Sequence, residues 1–156
     1  MAAALVGGGP VFKGAATVAN SAAQAFFAAY DAHDVDRMLS LCSADAQLRH
    51  VPMGGFETGA VQIVGRKAWS DLFAFLPGAR VIVKSIFADD SHVCAEVAIV
   101  DRSRSFRLPQ AYVLAFDESY RITQLTVYWD NVTLGIQLAK VALVRLVDVI
   151  LSGPKR

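Results

Sequence analysis

Apolar residues recur at helical spacing early in the chain and at every second position later, and this change of period predicts helices first and strands afterwards. The alanine-rich run "TVANSAAQAFFAAYDA", residues 17–32, places Ala22, Phe26, Ala29 and Tyr30 on one side of a helix. Asp34 follows as the N-cap of a second, short helix, "VDRMLSLC", with Met38, Leu39 and Cys42 inward. "AQLRHV" then alternates: Ala46, Leu48 and His50 share one face, Gln47 and Arg49 the other, before the turn signals "PMGG". A third helix, "RKAWSDLFAFL", stops at Pro77-Gly78. Four strand-like runs succeed it, "RVIVKSIFA", "HVCAEVAIV", "FRLPQAYVLAF" and "RITQLTVYW". The short turns between them predict antiparallel neighbours. The class is therefore α+β, with helices packed on one face of an antiparallel sheet.

The tail "NVTLGIQLAKVALVRLVDVIL" reads as a helix that is apolar almost all round. Lys140, Arg145 and Asp148 interrupt it too closely for a membrane span of about 20 apolar residues. A helix with so little polar surface needs partners, so residues 140–151 are expected to touch both their own domain and a second subunit.

Composition narrows the options. A chain of 156 residues, 54% apolar and 19% charged, makes one well-packed domain and not a disordered segment. A formal charge of +1 provides no field for nucleic acid, and the basic stretch "DRSRSFR" reads as a solvated hairpin tip. Cys42 and Cys94 lack metal-ligand spacing and read as free thiols of a reducing, cytoplasmic setting. "MAAALVGGGPVFKG" has no basic n-region and three glycines in its apolar run, so residues 1–16 are expected to be a flexible arm and not a signal peptide. "NVT" matches a glycosylation acceptor, a chance match where no secretory signal precedes it. No phosphate loop, nucleophile elbow or metal-ligand cluster is present in the sequence.

The segments "AFFAAYDAHDVDRMLSLCSADAQLRHVPMG", "W..LF.FLPG", "VLAFDESYRITQLTVYWD" and the closing "QL" together resemble SnoaL-like polyketide cyclases and ketosteroid isomerases of the nuclear-transport-factor-two-like superfamily. The likeness covers about residues 20–138. It implies a cystatin-type cone around an apolar pocket, a homodimer, and acid-base chemistry on a small apolar ligand without metal or organic cofactor. On this basis residues 17–138 form the SnoaL-like domain and residues 139–156 an additional C-terminal helix and tail.

The candidate residues follow from strand parity and that resemblance. His50 shares the face of Leu48 and, with one extra residue before Pro52, falls where ketosteroid isomerases carry an aspartate base. An imidazole titrates near neutrality and can move a proton between carbon and oxygen. The plainer reading is a strand-end histidine bonded to backbone. Tyr112 shares a face with Gln110, Leu114 and Phe116, at the position where those isomerases hold a protonated aspartate donor. A phenol is likewise a neutral donor, and the alternative is a satisfied core tyrosine. Phe26 falls where the isomerases have a tyrosine donor and has no proton to give; Tyr30, one turn on, either substitutes or packs. Asp130 resembles the acid-base aspartate of the cyclases, yet alternation turns Leu125, Val127 and Trp129 inward and Asp130 outward. Its second reading is the N-cap of the tail helix. Trp129 suits an aromatic wall, and Phe26, Tyr30, Gln110, Leu125 and Val127 complete the expected pocket. Arg107 and His92 read as surface residues.

Two functional classes stay open: a cofactor-independent isomerase or cyclase using His50, Tyr112 and Asp130, and a non-catalytic ligand-binding or interaction protein. Convergence of His50 and Tyr112 on one cavity favours the first.

Overall fold

A computed structural model of the chain describes residues 14–51 and 58–152. Helices α1 (Gly14–Asp31) and α2 (Val35–Ser40) lead into β1 (Cys42–Val51) and a two-residue β2 (Gly59–Ala60). A π-helical turn, Val61–Gly65, runs into α3 (Arg66–Phe75). Strands β3 (Arg80–Ala88), β4 (His92–Asp101), β5 (Phe106–Phe116) and β6 (Ile122–Trp129) follow, and α4 (Asn131–Ser152) closes the chain. Of the flexible arm expected over residues 1–16, residues 14–16 belong to α1 and the remainder lies outside the described residues, as does "PMGG".

The junction of the first two helices is built from backbone bonds. His33, at φ 58, takes the left-handed position that ends α1, where glycine is usual. Asp34 N–H donates to Ala29 O at 2.9 Å and His33 N–H to Tyr30 O at 3.1 Å. The conformational cost is offset by the ring of His33, which stacks on Phe73 at 4.1 Å and has Nε2 2.7 Å from Ala79 O. Asp34 then caps α2, accepting from Arg37 N–H at 2.9 Å.

The sheet order is β2-β1-β6-β5-β4-β3. From β3 to β6 each strand pairs antiparallel with the next, as the short turns predict. The expectation of a wholly antiparallel sheet needs correction, because β1 pairs with β6 in parallel and the sheet is mixed. Turn length fixes the direction of sequence neighbours only, and β1 reaches β6 across the whole fold. Register shifts within β1, β3 and β5 bend the sheet.

Strand β5 carries the clearest alternation: Phe106, Leu108, Gln110, Tyr112, Leu114 and Phe116 are all buried. Pro109 lies in this central strand without breaking a ladder bond. β6 begins its pairing only opposite Gln110, and the amide of Arg107, two residues before Pro109, donates instead to Gln137 Oε1 of α4 at 3.0 Å. α4 thus replaces β6 as cover for the end of β5. Val141 of α4 is fully buried, while Val132, Ile136, Leu143 and Leu146 remain exposed. Among the described residues no helix is long and apolar enough to cross a membrane.

Asp31 ties the helical layer to the sheet edge. Its carboxylate accepts from Arg80 Nε and Nη2 at 2.8 and 2.6 Å and from Val81 N–H at 2.7 Å. The Arg80 hydrogen bond, aided by Val81 and opposed by partial burial, holds this carboxyl below its usual range. A depressed folded-state pKa contributes stability that is complete above the ordinary value of about 4 and is lost as pH falls through the lowered one. Urea midpoints measured across the acid range are therefore expected to fall more steeply with decreasing pH for the wild type than for Asp31→Asn, which starts lower at neutral pH.

Candidate active site

The inner face of the sheet, α1 and α3 surround an apolar cavity of about 160 Å³, and α4 adds Leu134 and Leu138 to its wall. Strand register determines which polar groups reach it. Val127 of β6 stands opposite His50 in the parallel pairing with β1 and opposite Tyr112 in the antiparallel pairing with β5. The three residues make one rung across three strands, so the backbones of His50 and Tyr112 lie roughly 9–10 Å apart with Val127 between them. All three line the cavity. On the neighbouring rung Gln110 stands opposite Trp129, whose ring centroid is 4.5 Å from that of His50. The indole N–H of Trp129 donates to Asn131 Oδ1 at 3.2 Å, which fixes the ring as a wall.

Opposite the imidazole runs a chain of neutral hydroxyls. Tyr30 of α1 is hydrogen-bonded to Tyr112, and Tyr112 Oη donates to Gln110 Oε1 at 2.9 Å. Burial, with Tyr112 beside it, raises the Tyr30 phenol far above its ordinary value. Burial also raises Tyr112, with the bond from Tyr30 acting in the opposite direction. Both phenols therefore keep their protons at any physiological pH and serve as donors only while neutral. Among the described residues lining the cavity there is no carboxylate, which leaves His50 as its basic side chain.

Six expected pocket residues meet here: His50, Tyr112, Trp129, Tyr30, Gln110 and Val127. Three lie elsewhere. Phe26 is fully buried behind the cavity, stacked on Tyr30 at 6.4 Å and edge-on to Trp69 at 5.8 Å. Leu125 is fully buried one inward step along β6, in register with Leu48 and Leu114. Asp130 is an exposed cap: Oδ1 accepts from Val132 N–H at 3.1 Å, and Oδ2 accepts from Thr133 N–H at 2.9 Å and from the Thr133 hydroxyl. Those bonds, led by the Thr133 hydroxyl, hold its carboxyl below the usual range.

Sequence reasoning missed the α3 wall, Trp69, Leu72 and Phe75, and the α4 residues Leu134 and Leu138. Leu134, Leu138 and Val141 recur at helical spacing on one side of α4, but so do the exposed Val132, Ile136, Leu143 and Leu146 on another, so spacing alone did not mark the inner side. Cys42 is not a nucleophile of the site: it is buried, and burial pushes its thiol up to about 12 against the opposing pull of Arg121. Among the described residues no group of three His, Cys, Asp or Glu side chains converges to hold a metal ion.

Residues 23–125 match the family model of the SnoaL-like domain. The chain belongs to that family. Solved structures share the fold of this SnoaL-like protein at low identity. An LEH-like epoxide hydrolase of M. tuberculosis is 23% identical with a TM-score of 0.64, over 86% of this chain and 98% of that one. SalBIII, an epoxide hydrolase/cyclase-like enzyme in pyran ring formation in the polyether salinomycin, is 13% identical with a TM-score of 0.62, over 75% and 94%. An uncharacterized cystatin fold protein from Novosphingobium aromaticivorans is 19% identical with a TM-score of 0.59, over 70% and 96%. No curated protein matches the chain.

Because both Asp130 oxygens are engaged by the first turn of α4, Asp130→Ala is expected to lower the melting temperature of the SnoaL-like domain while leaving ligand affinity unchanged. Thermal denaturation alongside ligand titration checks both. A loss of ligand binding with an unchanged melting temperature would contradict the cap.

Proposed function

We propose that this SnoaL-like protein carries out cofactor-independent acid-base chemistry, of the isomerase or cyclase type, on a small apolar carbonyl compound. The reading rests on one observation: His50 and the Tyr30–Tyr112–Gln110 chain line the same apolar cavity, on either side of Val127. The cavity of about 160 Å³ is close to the size that accommodates a benzene ring, so the reacting part of the substrate within it is about one ring in size.

In this mechanism the carbonyl oxygen lies toward Tyr112 and Gln110 and the adjacent carbon toward His50. The neutral imidazole takes a proton from that carbon, and the electron pair moves onto oxygen as the enolate. Tyr112 turns its hydroxyl from Gln110 Oε1 to the new oxyanion, or the Gln110 amide N–H donates in its place. The imidazolium then returns the proton to a different carbon, which completes an isomerisation. In the cyclase variant the enolate carbon attacks a second carbonyl and the proton goes to the new alkoxide. Such donors act strongly because they are oriented before charge develops.

One observation favours a non-catalytic ligand binder as the second reading. The Tyr112 hydroxyl hydrogen is given to Gln110 Oε1 at 2.9 Å, a partner inside the protein itself.

Exchange of α-protons in deuterated water separates the two. With cyclohexanone or cyclohex-3-enone as probe, followed by NMR, the wild type is expected to accelerate exchange. His50→Ala should lower that rate by about 10²–10⁴, and Tyr112→Phe by about 10²–10³. Since it leaves buried Gln110 and Tyr30 short of a partner, Tyr112→Phe should also cost roughly 1–3 kcal/mol of stability. Ligand-induced shifts with no exchange above buffer would instead establish the binder.

A further inference from the structure

The cavity is lengthened along β5 and polar toward one end. Tyr112, Gln110, Leu108 and Phe106, every second residue of that strand, all line it. At the rise of an extended strand, the backbones of Tyr112 and Phe106 are about 20 Å apart. His50, Tyr112 and Gln110 gather at the first end. Toward the second, β6 has stopped at Trp129 opposite Gln110, so β5 is flanked by β4 and by α4. Ile99 stands opposite Leu108 there, and Gln137 on the Arg107 amide holds α4 in place. Leu108, Ile99 and Phe106 on the sheet, with Phe75, Leu134 and Leu138 on the helices, give this end of the wall no hydrogen-bonding side chain. The three sheet residues are buried, whereas Phe75 and Leu134 are half-buried and Leu138 is 42% exposed. Among the described residues the apolar end therefore opens between α3 and α4.

We propose that the ligand has one polar head and one uncharged hydrocarbon arm. The carbonyl-bearing head fills the end at His50 and Tyr112, and the arm runs past Leu108 and leaves between α3 and α4 beside Leu138. Leu138 is then a specificity-determining residue of the site. The inference rests on reading the cavity as a ligand site, and it holds for a catalyst and for a binder alike. A hydroxyl or amide placed along the arm would lose its water without gaining a hydrogen bond from these side chains. A charge at that point has no partner either: Arg104 donates to the Phe75 carbonyl and does not line the cavity. The enclosed volume of about 160 Å³ holds about one ring, so an arm of more than a few carbons must emerge at Leu138.

A ligand series tests this on the full chain. Cyclohexanone and its 4-methyl, 4-propyl and 4-pentyl derivatives are titrated against the protein, with 4-oxocyclohexanepropionate as the charged-arm control. Trp69 and Trp129, the two tryptophans, both line the cavity, so their indole NMR resonances report binding. Affinity is expected to rise with arm length, by up to about fourfold per methylene, and the carboxylate should bind more weakly than the propyl ketone. Leu138→Glu should abolish the rise by placing a charge beside the arm. Leu138→Ala, a milder change at the same partly exposed position, should make it shallower. An affinity that is flat or falls with arm length, a tighter carboxylate, or a rise that both variants leave intact would overturn the proposal. Proton exchange followed on the same samples keeps the two readings apart. A rise with arm length but no exchange supports the arm and removes the catalyst, whereas exchange with no rise removes the arm alone.

Discussion

Val127 has an in-register neighbour on either side, His50 across a parallel pairing and Tyr112 across an antiparallel one. The candidate site depends on this double registration. Side chains alternate faces along a strand, so a slip of one residue in either pairing would carry the imidazole or the phenol to the outer surface. The apolar residues that flank the rung resist such a slip. Leu48, Leu114 and Leu125 lie together two positions further along and are fully buried, and a one-residue shift would expose them together with the polar pair. The burial that stabilises the sheet and the placement of the chemistry are thus one constraint.

The same burial sets the electrostatics. Tyr30 and Tyr112 sit among Phe27, Phe73 and Trp69 with ring centroids 5.4–6.4 Å apart, and this apolar packing keeps both phenols neutral. A buried neutral donor is inexpensive to keep when hydrogen-bonded, and it is effective when negative charge appears nearby. A carboxylate in the same wall would need a partner or would bind a proton. That logic accounts for a site composed of imidazole, phenols and amide.

Much of this was legible in the sequence, for particular reasons. Two-residue alternation through "FRLPQAYVLAF" placed Gln110 and Tyr112 inward, and the parity of Leu48 placed His50 with them. Alternation also turned Asp130 away, and its position before a helix matched the cap that is found. Parity says which face a residue takes but not how deep it lies, so Phe26 and Leu125 were expected in the pocket and belong to the packing behind it. The parallel seam of β1 and β6 was illegible because no turn connects those strands. The part of α4 in the cavity wall was hidden by a helix so apolar that hydrophobicity alone did not distinguish its inner side from its outer one.

A ligand is expected to sit over Val127, between His50 and Tyr112. Intermolecular nuclear Overhauser effects, recorded with methyl-labelled Val127 and a saturating small cyclic ketone, test it most directly. Contacts are expected from the ligand to the Val127 methyls, to the His50 ring and to the Tyr112 ring in the same complex. A saturated ligand that contacts neither Val127 nor His50 would contradict it.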